Sequence, residues 1–199
     1  MFSGEEFSFL KRRTSADSRK NILEAAAAVF AEYGYSKTTI REVARRAGIS
    51  VGGIYLYYRN KEKLYLDLVR GQMETFAVHT SSLTGKPPLE ALKALIKSYL
   101  DFAVNETGLI SVNLKEHDRE SQKPLKKAFA RDQKKLIAGI LEKGVREGAF
   151  REMDCNETAA LIFFSLRGMI LSQVSGDLSE LKRQNSLYEL LLRGIKKED

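Results

Sequence analysis

Apolar residues recur with a helical period along almost the whole of this 199-residue chain. A period of 3.6 places positions i, i+3, i+4 and i+7 on one face, whereas a half-buried strand alternates with a period of two. No convincing alternation and no hairpin turn between strand-like runs interrupts this pattern. The sequence therefore predicts an all-α fold.

Turn and capping signals divide the pattern into segments. Gly34 is expected to end the first helix, Gly48 separates two short helices, and Pro87 with Pro88 makes the clearest break in the chain. The helices are expected at about residues 15–33, 40–47, from 51, 61–80, 89–106, briefly 109–116, then 124–147, 157–174 and 178–195. Three regions follow, namely a basic flexible tail over 1–14, a three-helix domain over 15–62 and a helical domain over 63–199.

Positive charge is concentrated at the amino-terminal end. Residues 1–70 contain 13 Lys and Arg against 8 Asp and Glu, whereas residues 71–199 contain 20 against 18. A basic region before a nearly neutral remainder favours a polyanionic partner such as nucleic acid or a membrane surface. Charge alone does not choose between them, because many proteins are mildly basic.

Several classes of site lack support in the sequence. Cys155 is the single cysteine and is far along the chain from His79 and His117, so we expect no disulfide, metal site or Cys–His nucleophile. No phosphate-binding glycine loop, carboxylate pair or nucleophile elbow is present, so we expect no enzyme and no cofactor. No apolar run approaches the roughly 18 to 20 residues that cross a bilayer, and residues 1–10 do not resemble a secretion signal. A cytoplasmic protein without a membrane partner is expected.

Residues 35–64 have the pattern of a helix-turn-helix. Thr39 and Glu42 form a capping box, in which the Thr39 hydroxyl bonds the Glu42 amide and the Glu42 carboxylate returns to the Thr39 amide. Gly48 allows a tight bend, and Ser50 is a natural N-cap for the next helix. The first of these helices would cross the DNA backbone and hold the second in the major groove.

The second short helix has two different faces. Ile54 and Tyr58, four residues apart, are predicted to pack inward. Its outward residues are then Val51, Gly52, Gly53, Tyr55 and Tyr57. Tyrosine hydroxyls can bond phosphates, a valine can contact a thymine methyl, and glycines allow close backbone approach. Salt-sensitive affinity would come from Arg41, Arg45, Arg46 and Lys61. A plain three-helix packing unit with glycines at tight crossings accounts for the same pattern without DNA.

The segment Thr39 to Leu64 resembles the signature of TetR/AcrR-type transcriptional regulators. The residues that carry the resemblance are Ala44, the turn Ala47-Gly48-Ile49-Ser50, the block Gly52-x-x-Tyr55-x-Tyr57, and Lys61-Glu62-x-Leu64. The first helix fits as well, so the resemblance covers about residues 19–68. It implies an N-terminal three-helix DNA-binding domain with a helix-turn-helix, followed by a C-terminal helical domain for ligand binding and dimerisation.

The resemblance implies roles for individual residues. Thr39, Tyr55, Tyr57 and Lys61 would contact phosphates, and residues 50–53 would lie nearest the bases. Gly53 stands where the family usually has Thr, Ser or Ala, so one hydroxyl contact is missing and the operator preference of relatives does not transfer. The predicted DNA-binding residues are Thr39, Arg41, Arg45, Ser50, Val51, Gly52, Gly53, Tyr55, Tyr57 and Lys61.

The resemblance also implies a ligand cavity within residues 80–175. Its candidate lining residues are Phe76, Tyr99, Phe102, Phe129, Phe163 and Arg167. Aromatic residues at helical spacing more often belong to a plain core. Arg167 lies within an apolar helix and should have a partner there, namely a carboxylate across a dimer, a helix C-terminus or an anionic ligand group.

The segment 157–174 is apolar around most of its circumference, so it should be buried on nearly every side. In so small a domain this favours burial against a second copy, and a symmetric dimer would read two half-sites about 34 Å or a multiple apart. The candidate interface residues are Ala160, Phe164, Gly168, Leu171, Leu187, Leu190 and Leu191.

The sequence is interpreted as that of a homodimeric, ligand-responsive transcriptional regulator. We expect a repressor released from a near-palindromic double-stranded DNA operator by a small, largely apolar effector, although the same architecture can activate. An architectural DNA-binding protein without an effector would have the same DNA-binding domain and a filled core. A helical-bundle enzyme would require a catalytic pair facing one cavity.

Overall fold

The computed structural model describes residues 4–105, 120–175 and 183–196. The α-helices in these residues are α1 (Gly4–Lys37), α2 (Ile40–Ala47), α3 (Val51–Tyr55), α4 (Lys61–Ser81), α5 (Pro88–Asn105), α6 (Lys123–Arg146), α7 (Cys155–Ser175) and α8 (Arg183–Ile195). Short 3-10 helices occupy Ser82–Gly85 and Glu120–Gln122. Extended pairing in the described residues is limited to one isolated bridge between Phe150 and Lys196. The predicted all-α fold is confirmed.

The start of α1 differs from the expected flexible tail over residues 1–14, because the helix already begins at Gly4. Lysine and arginine have high intrinsic helix propensity, so the basic segment over residues 11–13 can continue the helix. The short helix expected at 109–116 lies outside the described residues.

Gly34 interrupts the helical backbone where the sequence predicts a stop. Its φ of +75° and ψ of 168° are non-helical, and the positive φ is one that glycine adopts without steric cost. The buried Thr38 hydroxyl donates a hydrogen bond to the Gly34 carbonyl at 2.7 Å. This bond fixes the chain as it turns toward α2.

The chain divides into two compact units, Met1–Gly71 and Gln72–Asp199, and the division falls within α4. The boundary between the units therefore lies later in the chain than the one expected after residue 62. The reason is that the first turns of α4 belong to the core of the first unit. The Tyr65 ring packs edge to face against Phe30 at 4.9 Å and against Tyr35 at 5.0 Å between centroids. Such aromatic pairs add to the stabilisation that burial alone provides.

In the second unit α5, α6 and α7 pack against one another. Its fully buried side chains include Leu92, Leu95, Ile96, Ile137, Leu141, Ile162 and Leu166. Gly144 of α6 is required by close packing, because a Cβ there would overlap the ring of Phe150. The Phe150 amide donates to the Gly144 carbonyl at 3.1 Å, which closes the end of α6.

No helix in the described part of the chain is long and apolar enough to span a membrane.

Candidate nucleic-acid interface

Thr39 begins α2 as predicted. Its backbone is extended, with φ −115° and ψ 151°, and its hydroxyl oxygen accepts a hydrogen bond from the Glu42 amide at 3.2 Å. The Glu42 carboxylate instead accepts from the Arg45 guanidinium, at 3.1 Å from Nε, and this bond lowers the pKa of Glu42. Thr39 is exposed, so its hydroxyl proton can still be donated to an external acceptor such as a phosphate.

The turn between α2 and α3 follows the predicted chemistry. Gly48 adopts the left-handed conformation with φ +67°, which glycine tolerates better than any other residue. The Ile49 amide then reaches back to the Ala44 carbonyl at 3.1 Å. Ser50 caps α3 by accepting from the Gly53 amide at 3.0 Å. These bonds fix the angle between the two short helices.

Helix α3 separates an inward face from an outward one. Gly53 and Tyr57, which the sequence predicts to face outward, are half-buried, and the other predicted positions agree with the structure. Ile54 and Tyr58 are buried, whereas Val51 and Gly52 are exposed and Tyr55 is 52% exposed. The Tyr58 hydroxyl donates to Asp67 Oδ2 at 2.7 Å. Burial and this hydrogen bond raise the pKa of Tyr58 to about 12, so the tyrosine remains protonated and holds the end of α3 against α4.

Two observations at and just after α3 add to the sequence prediction. A Cβ at Gly52 would meet only Ser50 Oγ at 3.9 Å, so packing within the first unit does not demand glycine there. The bare backbone instead leaves the surface open to a close ligand. Leu56, which sequence analysis missed, is 85% exposed immediately after α3. The feature of the sequence that could have indicated its exposure is its position between Tyr55 and Tyr57.

The ammonium of Lys61, a predicted phosphate contact, has partners within the protein. Its ammonium donates to the carbonyl oxygens of Tyr35 and Thr38, both at 2.8 Å, and is 3.4 Å from that of Ser36. It also lies 4.4 Å from the centroid of the Tyr35 ring. An ammonium has three donors, and all three have partners here. Lys61 therefore ties the first turn of α4 to the segment between α1 and α2.

The other cations of the first unit fall into two groups. Arg45 pairs with Glu42, and Arg46 Nη1 lies 2.7 Å from a Glu32 carboxylate oxygen. Arg41 is exposed and makes no ion pair with any described residue. Arg59, Lys63 and Arg70 are exposed, have no such pair either, and line a shared pocket of about 440 Å³ next to Tyr57. Sequence analysis predicted Arg41 but missed Arg59, Lys63 and Arg70.

The predicted ligand-lining aromatic residues meet in the core of the second unit. Phe76 packs against Tyr99 at 4.8 Å, Phe102 at 4.9 Å and Phe129 at 6.1 Å, and Tyr99 lies 6.5 Å from Phe163 between ring centroids. These five rings form what we call the aromatic cluster. Because these rings pack against one another, the cluster can be either part of the core or the wall of a ligand pocket, the two roles that the sequence predicts.

Polar groups adjoin the aromatic cluster. The buried Tyr99 hydroxyl donates to Gln133 Oε1 at 3.0 Å, and Gln133 Nε2 donates to the Thr80 hydroxyl at 3.3 Å. Burial raises the pKa of Tyr99, so it remains a donor. Arg167 is half-buried, one helical turn after Phe163, and makes no hydrogen bond or ion pair with the described residues.

Helix α7 has two apolar faces. Ala159, Ile162 and Leu166 are buried in the second unit. On the opposite side Leu161 is 64% exposed and Phe164 56% exposed, and Gly168 and Leu171 continue this face. We call Leu161, Phe164, Gly168 and Leu171 the α7 stripe. Leu161 belongs to it although sequence analysis left it out.

The remaining predicted interface residues are spread over α7 and α8. Leu190 of α8 is 70% exposed, whereas Ala160 and Leu191 are half-buried. The side chain of Leu187 lies outside the described residues. Exposed leucines at these positions are expected if another surface covers them.

Comparison with known proteins gives the family. A family model described as "Bacterial regulatory proteins, tetR family" matches residues 22–68. The fatty acid metabolism regulator protein of Bacillus subtilis is 28% identical over 185 residues, which are 87% of this chain and 93% of that protein. The HTH-type transcriptional repressor KstR2 of Mycobacterium tuberculosis is 30% identical over 139 residues, which are 67% of this chain and 69% of that protein.

A solved structure agrees with these relatives. The transcriptional regulator FadR from Bacillus subtilis, in complex with stearoyl-CoA, superimposes with a TM-score of 0.76 at 25% identity. The superposition covers 88% of this chain and 98% of that one. The geometry of α2 and α3, the family model and the relatives give one answer: the chain belongs to the tetR family of bacterial regulatory proteins and is a DNA-binding transcriptional regulator.

Proposed function

We propose that the protein is a homodimeric repressor that binds a near-palindromic operator and is released by a small-molecule effector with a long apolar part and an anionic group. The observation that carries the proposal is the outward face of α3. Val51, Gly52 and Tyr55 are exposed together while Ile54 and Tyr58 anchor the helix. An apolar contact, a bare backbone and a hydroxyl donor on one short helix suit base edges and phosphates.

Dimerisation is supported by the α7 stripe. Its residues follow the spacing i, i+3, i+7 and i+10, so they lie along one side of the helix and offer a continuous apolar surface. Gly168 within the stripe allows close approach of a second helix. A symmetric pair of subunits covers this surface on both copies and presents two α3 helices to DNA.

The effector class follows from the second unit and from one relative. The aromatic cluster provides apolar contacts, and Arg167 is a half-buried cation without a partner among the described residues. The related regulator FadR from Bacillus subtilis was solved with stearoyl-CoA. A fatty acyl-coenzyme A thioester combines an apolar acyl chain with the anionic phosphates of coenzyme A, so this class fits both features. The predicted role of Arg167 is to pair with the anionic part.

Release requires the effector to bind one of two arrangements of the dimer more tightly than the other. A coupling free energy of about 1 to 3 kcal/mol weakens operator binding roughly 5- to 150-fold. The same coupling weakens effector binding when operator is bound, because linkage is reciprocal.

Fluorescence anisotropy with labelled DNA from upstream of the protein's own gene tests the proposal. We expect saturable binding that stearoyl-CoA weakens and that coenzyme A alone leaves unchanged. An Arg167→Gln protein should bind the DNA as the wild type does but need more stearoyl-CoA for release. Binding that no acyl thioester alters would refute the proposed effector class and favour an architectural DNA-binding role. Absence of DNA binding in dilute buffer would refute the repressor.

A further inference from the structure

The pocket between the end of α3 and the first turns of α4 is lined mostly by residues that are not among the predicted DNA contacts. It has a volume of about 440 Å³ and is formed entirely by residues of the first unit. Arg59 precedes α4, and Lys63 and Arg70 project from it. Lys63, Leu66, Asp67 and Arg70 follow the spacing i, i+3, i+4 and i+7, so they share one face of the helix.

The negative charge in the pocket is already neutralised. Asp67 Oδ2 accepts from Arg19 Nη2 and from the Tyr58 hydroxyl, each at 2.7 Å. The same bonds hold Arg19 at the pocket wall. Arg59, Lys63 and Arg70 have no hydrogen-bond or salt-bridge partner for their side chains within the described ranges. The pocket therefore presents three unpaired cations and one paired one.

Two of the predicted DNA-contacting cations, Arg45 and Lys61, differ in this respect, whereas Arg41 is also without an ion pair among the described residues. The guanidinium of Arg45 is bound by Glu42, and the ammonium of Lys61 is bound by backbone carbonyls. A cation that already has a close partner offers less net attraction to a phosphate, because the attached carboxylate repels the phosphate. The pocket therefore holds three unpaired cations, whereas Arg41 is the one predicted DNA-contacting cation without an ion pair among the described residues.

The position of the pocket indicates which kind of anion binds there. Tyr57, a predicted phosphate contact, is itself a lining residue. Lys63 and Arg70 are seven residues apart, which is about 10 Å along a helix. Successive phosphates of one strand advance about 3.4 Å along the DNA axis and are also displaced around it, so a row of this length can reach roughly two neighbouring phosphates. A single inorganic phosphate is too small to contact both Lys63 and Arg70 at the ends of this row.

We propose that this pocket binds backbone phosphates of the DNA strand that continues past the α3 contact, with Arg59, Lys63 and Arg70 as the phosphate ligands. The proposal rests on the DNA-binding function above. It extends the protein–DNA contact beyond the recognition helix and adds affinity that does not depend on base sequence.

The test is the salt dependence of binding to a mixed-sequence duplex of about three helical turns, since phosphate contacts are independent of sequence. The variant Arg59→Gln/Lys63→Gln removes two cations that have no internal partner. The slope of log Kobs against log salt should fall in magnitude by about 0.9 for each lost contact, or about 2 for each bound subunit. Thermal unfolding should be unchanged, and Arg59→Lys should keep the wild-type slope.

The matched control is Lys127→Gln/Lys135→Gln, which removes two exposed lysines of α6 in the second unit. If the pocket variant and this control have equal slopes, the proposal fails. It also fails if inorganic phosphate stabilises the wild type but not the pocket variant while the DNA slopes match, since the pocket is then a small-anion site. A wild type that binds no duplex refutes DNA binding itself, and the two failures are thereby distinguished.

Discussion

The two units of the chain each expose apolar side chains, but the surroundings of these side chains differ. Around α3, Gly52 and Gly53 separate Val51 from Tyr55 and Leu56, and hydroxyl groups and cations lie next to these residues. On the α7 stripe, Leu161 and Phe164 lie on one continuous helical surface, with Lys134 about 5.8 Å from the Phe164 ring. Exposure alone therefore does not identify the partner.

The difference shows that the side chains around an exposed apolar residue indicate which kind of partner binds there. A small apolar contact among polar donors matches the groove of DNA, where methyl groups alternate with hydrogen-bonding edges. A row of large apolar residues matches a surface of the same kind, as in an isologous dimer interface. Substitutions on the two surfaces should therefore affect different measurements.

The largest effect is expected for Phe164→Glu. A charge in the middle of the α7 stripe would be desolvated in the dimer, and attraction to the nearby Lys134 would offset only part of that cost, so the protein should become monomeric. Operator affinity should then fall toward that of nonspecific binding, by roughly 1,000-fold. Sedimentation equilibrium measures the first effect and anisotropy the second. Subunit stability should change little, because the ring is largely exposed in a single chain.

Val78→Glu is the matched control for this substitution. Val78 is also an exposed apolar residue of the second unit, but its helical neighbours Thr75, Ser81 and Ser82 are polar. It should leave the dimer intact. A Phe164→Glu protein that sediments as a dimer would place the interface elsewhere and remove the proposed contrast between the two surfaces.

The first unit was predictable from the sequence because its determinants are local. The capping by Thr39 and Ser50, the left-handed Gly48 and the inward Ile54 all follow from residues within a few positions of one another. The role of Lys61 was not predictable in this way. Its carbonyl partners at Tyr35 and Thr38 are more than twenty residues away, and backbone acceptors leave no signal in side-chain pattern.

For the second unit, the bounds of the helices could be predicted from the sequence, but which side chains are buried and which are exposed could be predicted less well. Helical period gives the bounds of α6 and α7 closely, yet it cannot say which of two apolar faces meets the core. Ile162 and Phe164 look alike in the sequence, but one is buried and the other exposed. The free cations of the pocket were missed for a related reason, since pairing such as Arg46 with Glu32 arises only from tertiary structure.

A smaller effect is expected for Lys61→Met, and it separates positioning from phosphate contact. Methionine keeps the apolar stem but removes the donors to three carbonyl oxygens, which should destabilise the first unit by about 1 to 3 kcal/mol. DNA affinity should fall because the segment before α2 is no longer held. The salt slope should not change, since the ammonium is already bound within the protein. Thermal unfolding and salt-dependent anisotropy measure the two quantities.

Lys63→Met is the internal control for this result. Lys63 is two residues away, exposed and without a partner among the described residues, so its loss should lower the salt slope and leave stability unchanged. If Lys61→Met instead lowers the slope by about 0.9 and leaves unfolding unchanged, Lys61 is a phosphate contact as the family resemblance implies.

The smallest effect is expected for Val51→Ala, and it examines whether α3 reads bases. Loss of an apolar contact to a thymine methyl should weaken binding only a few-fold, and only for duplexes with thymine at one position. Tyr55→Phe is the comparison, because loss of a hydroxyl that bonds a phosphate should weaken binding to every duplex about equally. Anisotropy against a set of single-base operator variants measures both patterns. If Val51→Ala weakens all duplexes uniformly, the exposed valine does not discriminate bases, and sequence preference must come from the backbone near Gly52 or from the shape of the DNA.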